Sequence, residues 1–200
     1  MHIPLFRAIA ASAFDPQKIY RRYTTQRPPS NIPYVVDNRL EWLRPDDMPN
    51  RRFCAYANLT PEQALRNANP VDQEGDRLEA YALEFHGNAV KMANLPRDAR
   101  YHPDIRALQK LVVRSLDAVL QSSDWPAKMA VAPLFMPCLT KMEMDGLRQA
   151  SPLVEKILAQ AQSISQFWDD ARFIPGKTAP VDGELFFELV SPDAGYSLRK

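Results

Sequence analysis

Apolar and polar positions alternate with two different periods along the chain, and the change of period predicts a mixture of strands and helices. Period-two alternation predicts strands over residues 3–9, 53–58, 78–85 and 183–190. Apolar side chains at spacings of three and four predict two long amphipathic helices, one over 105–120 and one that begins at 151–152. Strands at the start, middle and end, with helices between them, predict an α+β fold with a small mixed or antiparallel sheet as its core.

Cap signals mark the start of several of these helices. The strand over 53–58 runs directly into a stretch where Thr60 fits the N-cap and Gln63 the third helical position, which predicts a capping box. Asp15 fits the cap of a short helix that extends through about Tyr23. Further N-cap signals lie at Thr140, with Glu143 three residues on, and at Ser151.

One segment, residues 26–50, is rich in proline and arginine and contains five prolines. These prolines predict a long irregular excursion that packs Trp42 inward. The apolar stretch 125–139, with three prolines, is interpreted as a buried connection. The length of 200 residues fits a single domain, 1–200, which includes the excursion and a mainly helical part over 104–170.

Composition is typical of a globular protein. A hydrophobic fraction of 46% with 24% charged residues excludes a disordered chain. No apolar run approaches the roughly 18 residues that predict a membrane span, and Arg7 interrupts the apolar N-terminus, which fits a signal peptide poorly. Two cysteines are too few for a disulfide framework. We therefore expect free thiols and a cytoplasmic location, in the producing cell or, for a toxin or effector, in a target cell.

Positive charge is concentrated early in the chain, where residues 1–70 contain ten Lys and Arg against six Asp and Glu. Nine of those ten cations are Arg, whose planar fork suits phosphate and carboxylate. The excess is too modest to predict extensive nucleic-acid binding. The sequence has no zinc-ligand motif, no phosphate-binding glycine loop and no hydrolase nucleophile motif, so we expect no metal site and no nucleotide-binding α/β fold.

Three residues on three predicted strands form a candidate site. Arg7 lies on the first strand, Tyr56 at the strand-to-helix corner and Glu184 at the start of the last strand. This trio suits cleavage of a nicotinamide–ribose bond. An arginine would hold the diphosphate or ribose, an aromatic ring would stack on the nicotinamide, and a carboxylate would stabilise the oxocarbenium-like sugar. Glu188, on the same strand face as Glu184, is an alternative carboxylate.

The residues around this trio resemble a known family. Residues 5–8, Leu-Phe-Arg-Ala, resemble the first-strand arginine motif of ADP-ribosyltransferase-like proteins, in particular the RES-domain and rifampicin-ADP-ribosylating branches. Residues 55–65 are similar to the aromatic strand that runs into a helix in those proteins. Residues 81–87 are similar to the following strand, which ends in a glycine turn, and 183–190 to a third element of the family.

The resemblance implies a role for each member of the trio: Arg7 contacts NAD, Tyr56 lines the nicotinamide pocket and Glu184 is the catalytic carboxylate. Arg52, just before the aromatic strand, is a further cofactor-binding candidate. The implied activity is that of an NAD-consuming ADP-ribosyltransferase or an NAD glycohydrolase, with NAD as substrate. The acceptor is a protein side chain, a nucleotide or a small molecule.

The alternative function is a non-catalytic protein-interaction module. Its binding surface would be the proline, arginine and aromatic segment 26–52, which concentrates residue types that are favoured at interfaces. Under this hypothesis Trp42 and Arg44 would contact the partner, and Arg7 and Glu184 would have no role in function.

Overall fold

The computed structural model describes residues 4–30, 32–68, 76–87, 90–171 and 183–200. These residues form helices and two antiparallel sheets, which confirms the α+β prediction. The chain divides into two compact units. The sheet unit comprises Met1–Thr25, Asp47–Arg97 and Ala171–Lys200, and the helical unit comprises Gln26–Asp46 and Asp98–Asp170.

The sheet unit contains seven described strands and one described α-helix. The strands are β1 (Phe6–Ala10), β2 (Tyr20–Arg21), β3 (Ala55–Ala57), β4 (Leu78–His86), β5 (Val90–Leu95), β6 (Glu184–Leu189) and β7 (Gly195–Arg199), and the helix is α2 (Pro61–Asn67). One sheet has the strand order β1-β4-β7-β2 and the other β3-β6-β5. A single antiparallel bridge between Phe6 and Asn58 links β1 to the end of β3.

The core of the sheet unit lies between these two sheets. Alternate side chains of β6, Leu185, Phe187 and Leu189, are buried in the same cluster as Tyr81 of β4 and Tyr196 of β7. The Tyr196 ring packs edge-on against Phe187, with their centroids 5.3 Å apart. Period-two alternation therefore decides which side chains of β6 face the core and which face away from it.

The predicted entry from strand to helix is present. The Thr60 hydroxyl accepts a hydrogen bond from the Gln63 amide at 3.2 Å, so Thr60 is the N-cap of α2. The Gln63 side chain reaches back to the amide of Leu59, at 3.3 Å. The strand itself is shorter than predicted, because residues 51–53 form a 3₁₀ turn before β3 begins.

The helical unit contains six described α-helices. They are α1 (Tyr34–Trp42), α3 (Pro103–Gln121), α4 (Trp125–Val131), α5 (Lys141–Ala150), α6 (Pro152–Ile164) and α7 (Phe167–Asp170). The prediction of helices over 105–120 and from 151 is confirmed, and Thr140 and Glu143 form the predicted capping box. In the part of the chain that the structure describes, no helix is long and apolar enough to span a membrane.

Three predictions of local structure are wrong. The segment over 26–50 contains the nine-residue helix α1, and the stretch 125–139 contains α4, whose Trp125 is 67% exposed. Residues 15–23 form turns and the strand β2 in place of a helix. Tertiary pairing outweighs the cap signal there, since the Tyr20 ring stacks on Tyr196 of β7 at 4.8 Å. The sequence also predicts a polar turn over 69–77, most of which lies outside the described residues.

A buried asparagine fixes the loop that follows α4. Asn38 of α1 has no solvent exposure, and its side-chain amide donates to the carbonyls of Leu134, at 3.2 Å, and Met136, at 2.7 Å. Its side-chain oxygen accepts from the amide of Leu139 at 3.0 Å. These bonds hold a loop in which Cys138 has the left-handed φ of 60°, a conformation unfavourable for a residue with a Cβ.

We predict that Asn38→Leu destabilises the helical unit by about 3 kcal/mol, because two carbonyls and one amide lose their buried partner. The chain's three tryptophans all lie in this unit, so denaturant unfolding followed by tryptophan fluorescence reports on it. Gln121→Leu is the control, since Gln121 is exposed and bonds only locally to Asp117. The control should change the free energy of unfolding by less than about 0.5 kcal/mol. Equal stability of the two variants would contradict this role of Asn38.

Candidate functional site

Two of the predicted site residues, Tyr56 and Glu184, lie on the same face of the β3-β6-β5 sheet. Tyr56 pairs directly with Phe186 across β3 and β6, and their ring centroids are 6.5 Å apart. Glu184 is two residues from Phe186 and therefore projects from the same face of β6. This outer face is opposite the one that packs into the core between the sheets.

A residue that the sequence analysis did not select, Arg51, joins them. It lies on the 3₁₀ turn before β3, and its guanidinium carbon is 5.9 Å from the centre of the Phe186 ring. Its side chain hydrogen-bonds the Tyr56 phenol, and the charges of Arg51 and Glu184 both act on that phenol. We call Arg51, Tyr56 and Glu184 the Tyr56 cluster.

The turn that carries Arg51 is fixed by its neighbours. The Glu188 carboxylate accepts a hydrogen bond from the Asn50 amide at 2.7 Å, and the Asn50 side chain accepts from the Arg52 amide at 3.0 Å. The Cys54 thiol donates to the Asn50 carbonyl at 3.1 Å. Glu188 is buried and engaged in this anchoring, which distinguishes it from Glu184. Of the two carboxylates considered from the sequence, Glu184 is the one that belongs to the cluster.

The electrostatic environment of Tyr56 is set by opposing effects. Desolvation is the largest and raises the pKa of the phenol, the Arg51 charge lowers it, and the Glu184 charge raises it. The net pKa lies above the ordinary value for tyrosine, so the phenol stays neutral at physiological pH. Tyr56 is also 39% exposed, which makes it the large aromatic residue of this face that a ligand can reach.

Arg7 lies on β1, in the other sheet, and faces the interior between the two sheets. Its side chain donates to the Tyr196 hydroxyl and sits 5.9 Å from the centre of that ring, in the interior between the sheets. Desolvation lowers the pKa of Arg7, but its interactions with Tyr196 and Tyr23 outweigh this effect, and the net pKa is raised. The structure therefore brings Tyr56 and Glu184 together and does not bring Arg7 to them.

A narrow crevice is present near Arg7. Its interatomic space is about 180 Å³, including open solvent at its mouth, and no part of it is wide enough for a water molecule. It is lined by Arg21, Tyr23, Phe53, Ala55, Phe187, Leu189 and Tyr196. Most of these side chains are aromatic or aliphatic and pack against one another, so the crevice in this conformation does not admit a dinucleotide.

Arg52, the further candidate for cofactor contact, is almost fully buried at 2% exposure. Its neighbour Arg51 contacts the Tyr56 phenol. The sequence offered one signal that would have favoured Arg51, since Asn50 is a good cap for a short turn that begins at 51. The choice between the two arginines depends on the direction of that turn, which the distant Glu188 determines.

The segment 26–52, proposed as an interaction surface, is largely engaged inside the protein. The Trp42 indole donates to Asp145 at 3.0 Å, and Arg44 pairs with Glu41 at 3.0 Å. Arg39 has no solvent exposure, whereas Tyr34 is 40% exposed. Trp42 and Arg44 therefore have structural contacts within the helical unit.

No described group of three or more His, Cys, Asp or Glu side chains could hold a metal ion. No protein-family model, curated protein or solved structure matches this chain.

We predict that the two charges of the Tyr56 cluster shift the phenol pKa in opposite directions. Glu184→Gln removes a negative charge and should lower the pKa of Tyr56, whereas Arg51→Met removes a positive charge and should raise it. Both shifts are measured by NMR titration of ring-labelled tyrosine. Tyr196, which is buried in the core between the sheets, is the internal control, and its ring resonances should be the same in both variants as in the parent. Shifts of the same sign in the two variants would contradict the geometry of the cluster.

Proposed function

We propose that this protein is an NAD-consuming enzyme of ADP-ribosyltransferase type, which cleaves the nicotinamide–ribose bond and passes ADP-ribose to an acceptor or to water. The observation that carries the proposal is the convergence of a cation, an accessible aromatic ring and a carboxylate in the Tyr56 cluster. NAD offers a diphosphate, a planar nicotinamide and a ribose that becomes cationic during cleavage. Each of these groups has a complementary side chain in the cluster.

Tyr56 is the stacking surface for nicotinamide. Its ring is partly exposed and is backed by Phe186, which is fully buried, so its orientation is supported by the sheet. Because the phenol is neutral at physiological pH, it adds no negative charge that would favour the cationic nicotinamide of the substrate over the neutral leaving group. Stacking of the positively charged nicotinamide ring on an aromatic face is favourable in the substrate and weaker in the neutral product.

Glu184 is the catalytic carboxylate. As the nicotinamide leaves with the bonding electron pair, positive charge develops on the ribose, and a carboxylate beside it stabilises that charge. The same carboxylate accepts the proton of the attacking water or acceptor hydroxyl as the new bond to the ribose carbon forms. Nicotinamide, ADP-ribose and one proton account for all the atoms of NAD and water in the hydrolytic reaction.

Arg51 supplies the cation for the NAD diphosphate. It is held beside Tyr56 by a turn that Asn50 and Glu188 fix, so the guanidinium is preorganised before the ligand binds. The role that the resemblance assigns to Arg7 is thus taken by an arginine from a different element of the sheet unit. The setting we propose is a cytoplasm, of the producing cell or of a target cell, where NAD is present.

We predict that the purified protein releases nicotinamide from NAD and that Glu184→Gln lowers kcat by about 100-fold or more, because the transition state loses its stabilising charge. Turnover is followed by chromatography of nicotinamide, with and without a cell lysate as the source of acceptors. Labelled ADP-ribose on lysate macromolecules indicates transfer, and free ADP-ribose indicates hydrolysis.

Glu84→Gln is the matched control, since Glu84 is an exposed carboxylate of β4 whose partner is Arg199, at 2.7 Å. It should retain the full rate. No nicotinamide release in either condition, together with no binding of NAD by calorimetry, would refute the proposed function. Equal rates for the Glu184→Gln and Glu84→Gln variants would refute the assignment of Glu184.

A further inference from the structure

Arg39 is a buried cation of the helical unit that the proposed function does not use. It lies in the middle of α1 and has no solvent exposure. One of its guanidinium nitrogens, Nη1, donates to the carbonyl of Val35 in the same helix, at 2.7 Å. Of the described arginines, it has the lowest exposure.

The other two guanidinium nitrogens, Nε and Nη2, are buried and have no hydrogen-bond partner among the described residues. Nε and Nη2 lie on one edge of the guanidinium and point in the same direction, which is the geometry that grips two oxygens of a carboxylate or phosphate. The same chain uses this edge twice. Arg44 binds Glu41 through Nε and Nη2, and Arg100 binds Asp98 through the same two atoms.

Among the described residues, no neighbouring charge compensates the charge of Arg39. Burial lowers the pKa of Arg39 to about 10. The group is therefore still protonated at neutral pH, where a buried cation is unfavourable unless an anion accompanies it. The nearby buried carboxylate of Glu41 is already held by Arg44.

We propose that Arg39 is the binding site for a small oxyanion, which it grips through Nε and Nη2. The chemistry is that of a carboxylate or a phosphate group, because these present two oxygens at the spacing of that edge. Because no water-sized space reaches these nitrogens, the helical unit has to open around Arg39 to admit the ion, and a small ion requires a smaller opening than a bulky ligand. This site lies in the helical unit and is independent of the Tyr56 cluster.

The test is the effect of anions on the unfolding of the helical unit. Thermal unfolding is followed by tryptophan fluorescence, because the three tryptophans all lie in that unit. Inorganic phosphate and sodium formate are titrated separately, with chloride replacing each ion so that ionic strength is constant. We expect a saturable rise of Tm, by roughly 5–10 °C at about 100 times the dissociation constant, for at least one of the two anions.

Two variants separate Arg39 from general effects of salt. Arg39→Met should unfold at the same or a higher temperature than the unliganded parent, because an uncompensated charge is replaced by a hydrocarbon chain, and its Tm should not respond to the anion. Arg44→Met, which removes the same fork from Glu41, should lower Tm and keep the anion response. Arg44→Met is a matched control, because the same substitution is expected to lower Tm at residue 44 and not at residue 39.

The anion that raises Tm identifies the chemistry, phosphate for a phosphoryl group and formate for a carboxylate. A response that persists in Arg39→Met, or the lack of any response in the parent, would overturn the proposal. Should Arg39→Met fail to fold, Arg39→Lys keeps the charge without the fork and should weaken the anion's apparent affinity at least tenfold. An unchanged affinity in Arg39→Lys would also overturn it.

Discussion

The two-residue alternation along β6 is the constraint on which the sheet unit depends. Leu185, Phe187 and Leu189 are buried in the core between the sheets, and this fixes the register of the strand, because a slip by one residue would place glutamates in that apolar core. With that register set, Glu184 and Phe186 project from the opposite face. The same alternation on β3 places Tyr56 beside them. The candidate site is thus a consequence of core packing on the reverse side of one strand.

Hydrogen bonds or neighbouring groups compensate some of the buried polar side chains and not others. This difference separates side chains with a structural role from candidates for ligand binding. Glu188 and Asn38 have their hydrogen bonds made by backbone groups, and each fixes a turn or loop. Arg7 is surrounded by tyrosines whose hydroxyls and ring faces support its charge. Arg39 has neither kind of compensation on its carboxylate-binding edge. The last case is the one that suggests a ligand.

Sequence patterns predicted the elements whose signals are local. α3 and α6 have one apolar face and a cap, and β4 and β6 have a large apolar residue at every second position, so each was found. α1 was missed because residues 35–41 are all buried, including its polar ones, which leaves no amphipathic period to detect. Arg51 was missed for a different reason. Its orientation depends on a bond between Glu188 and Asn50, which are 138 residues apart. Alternation within one strand also cannot show that Arg7 faces the interior of the sheet unit while Tyr56 faces outward. Arg7 lies on β1 and Tyr56 on β3, and the relation between them is set by the pairing of strands.

The central claim is that a dinucleotide binds on the outer face of β3 and β6 and not in the interior around Arg7. NMR spectra of ring-labelled tyrosine, recorded as NAD is added, test it directly, because Tyr56 marks the outer face and Tyr196 the interior. The account predicts a saturable shift of the Tyr56 ring resonances, with those of Tyr196 unchanged. A shift of Tyr196 with none at Tyr56 would contradict it.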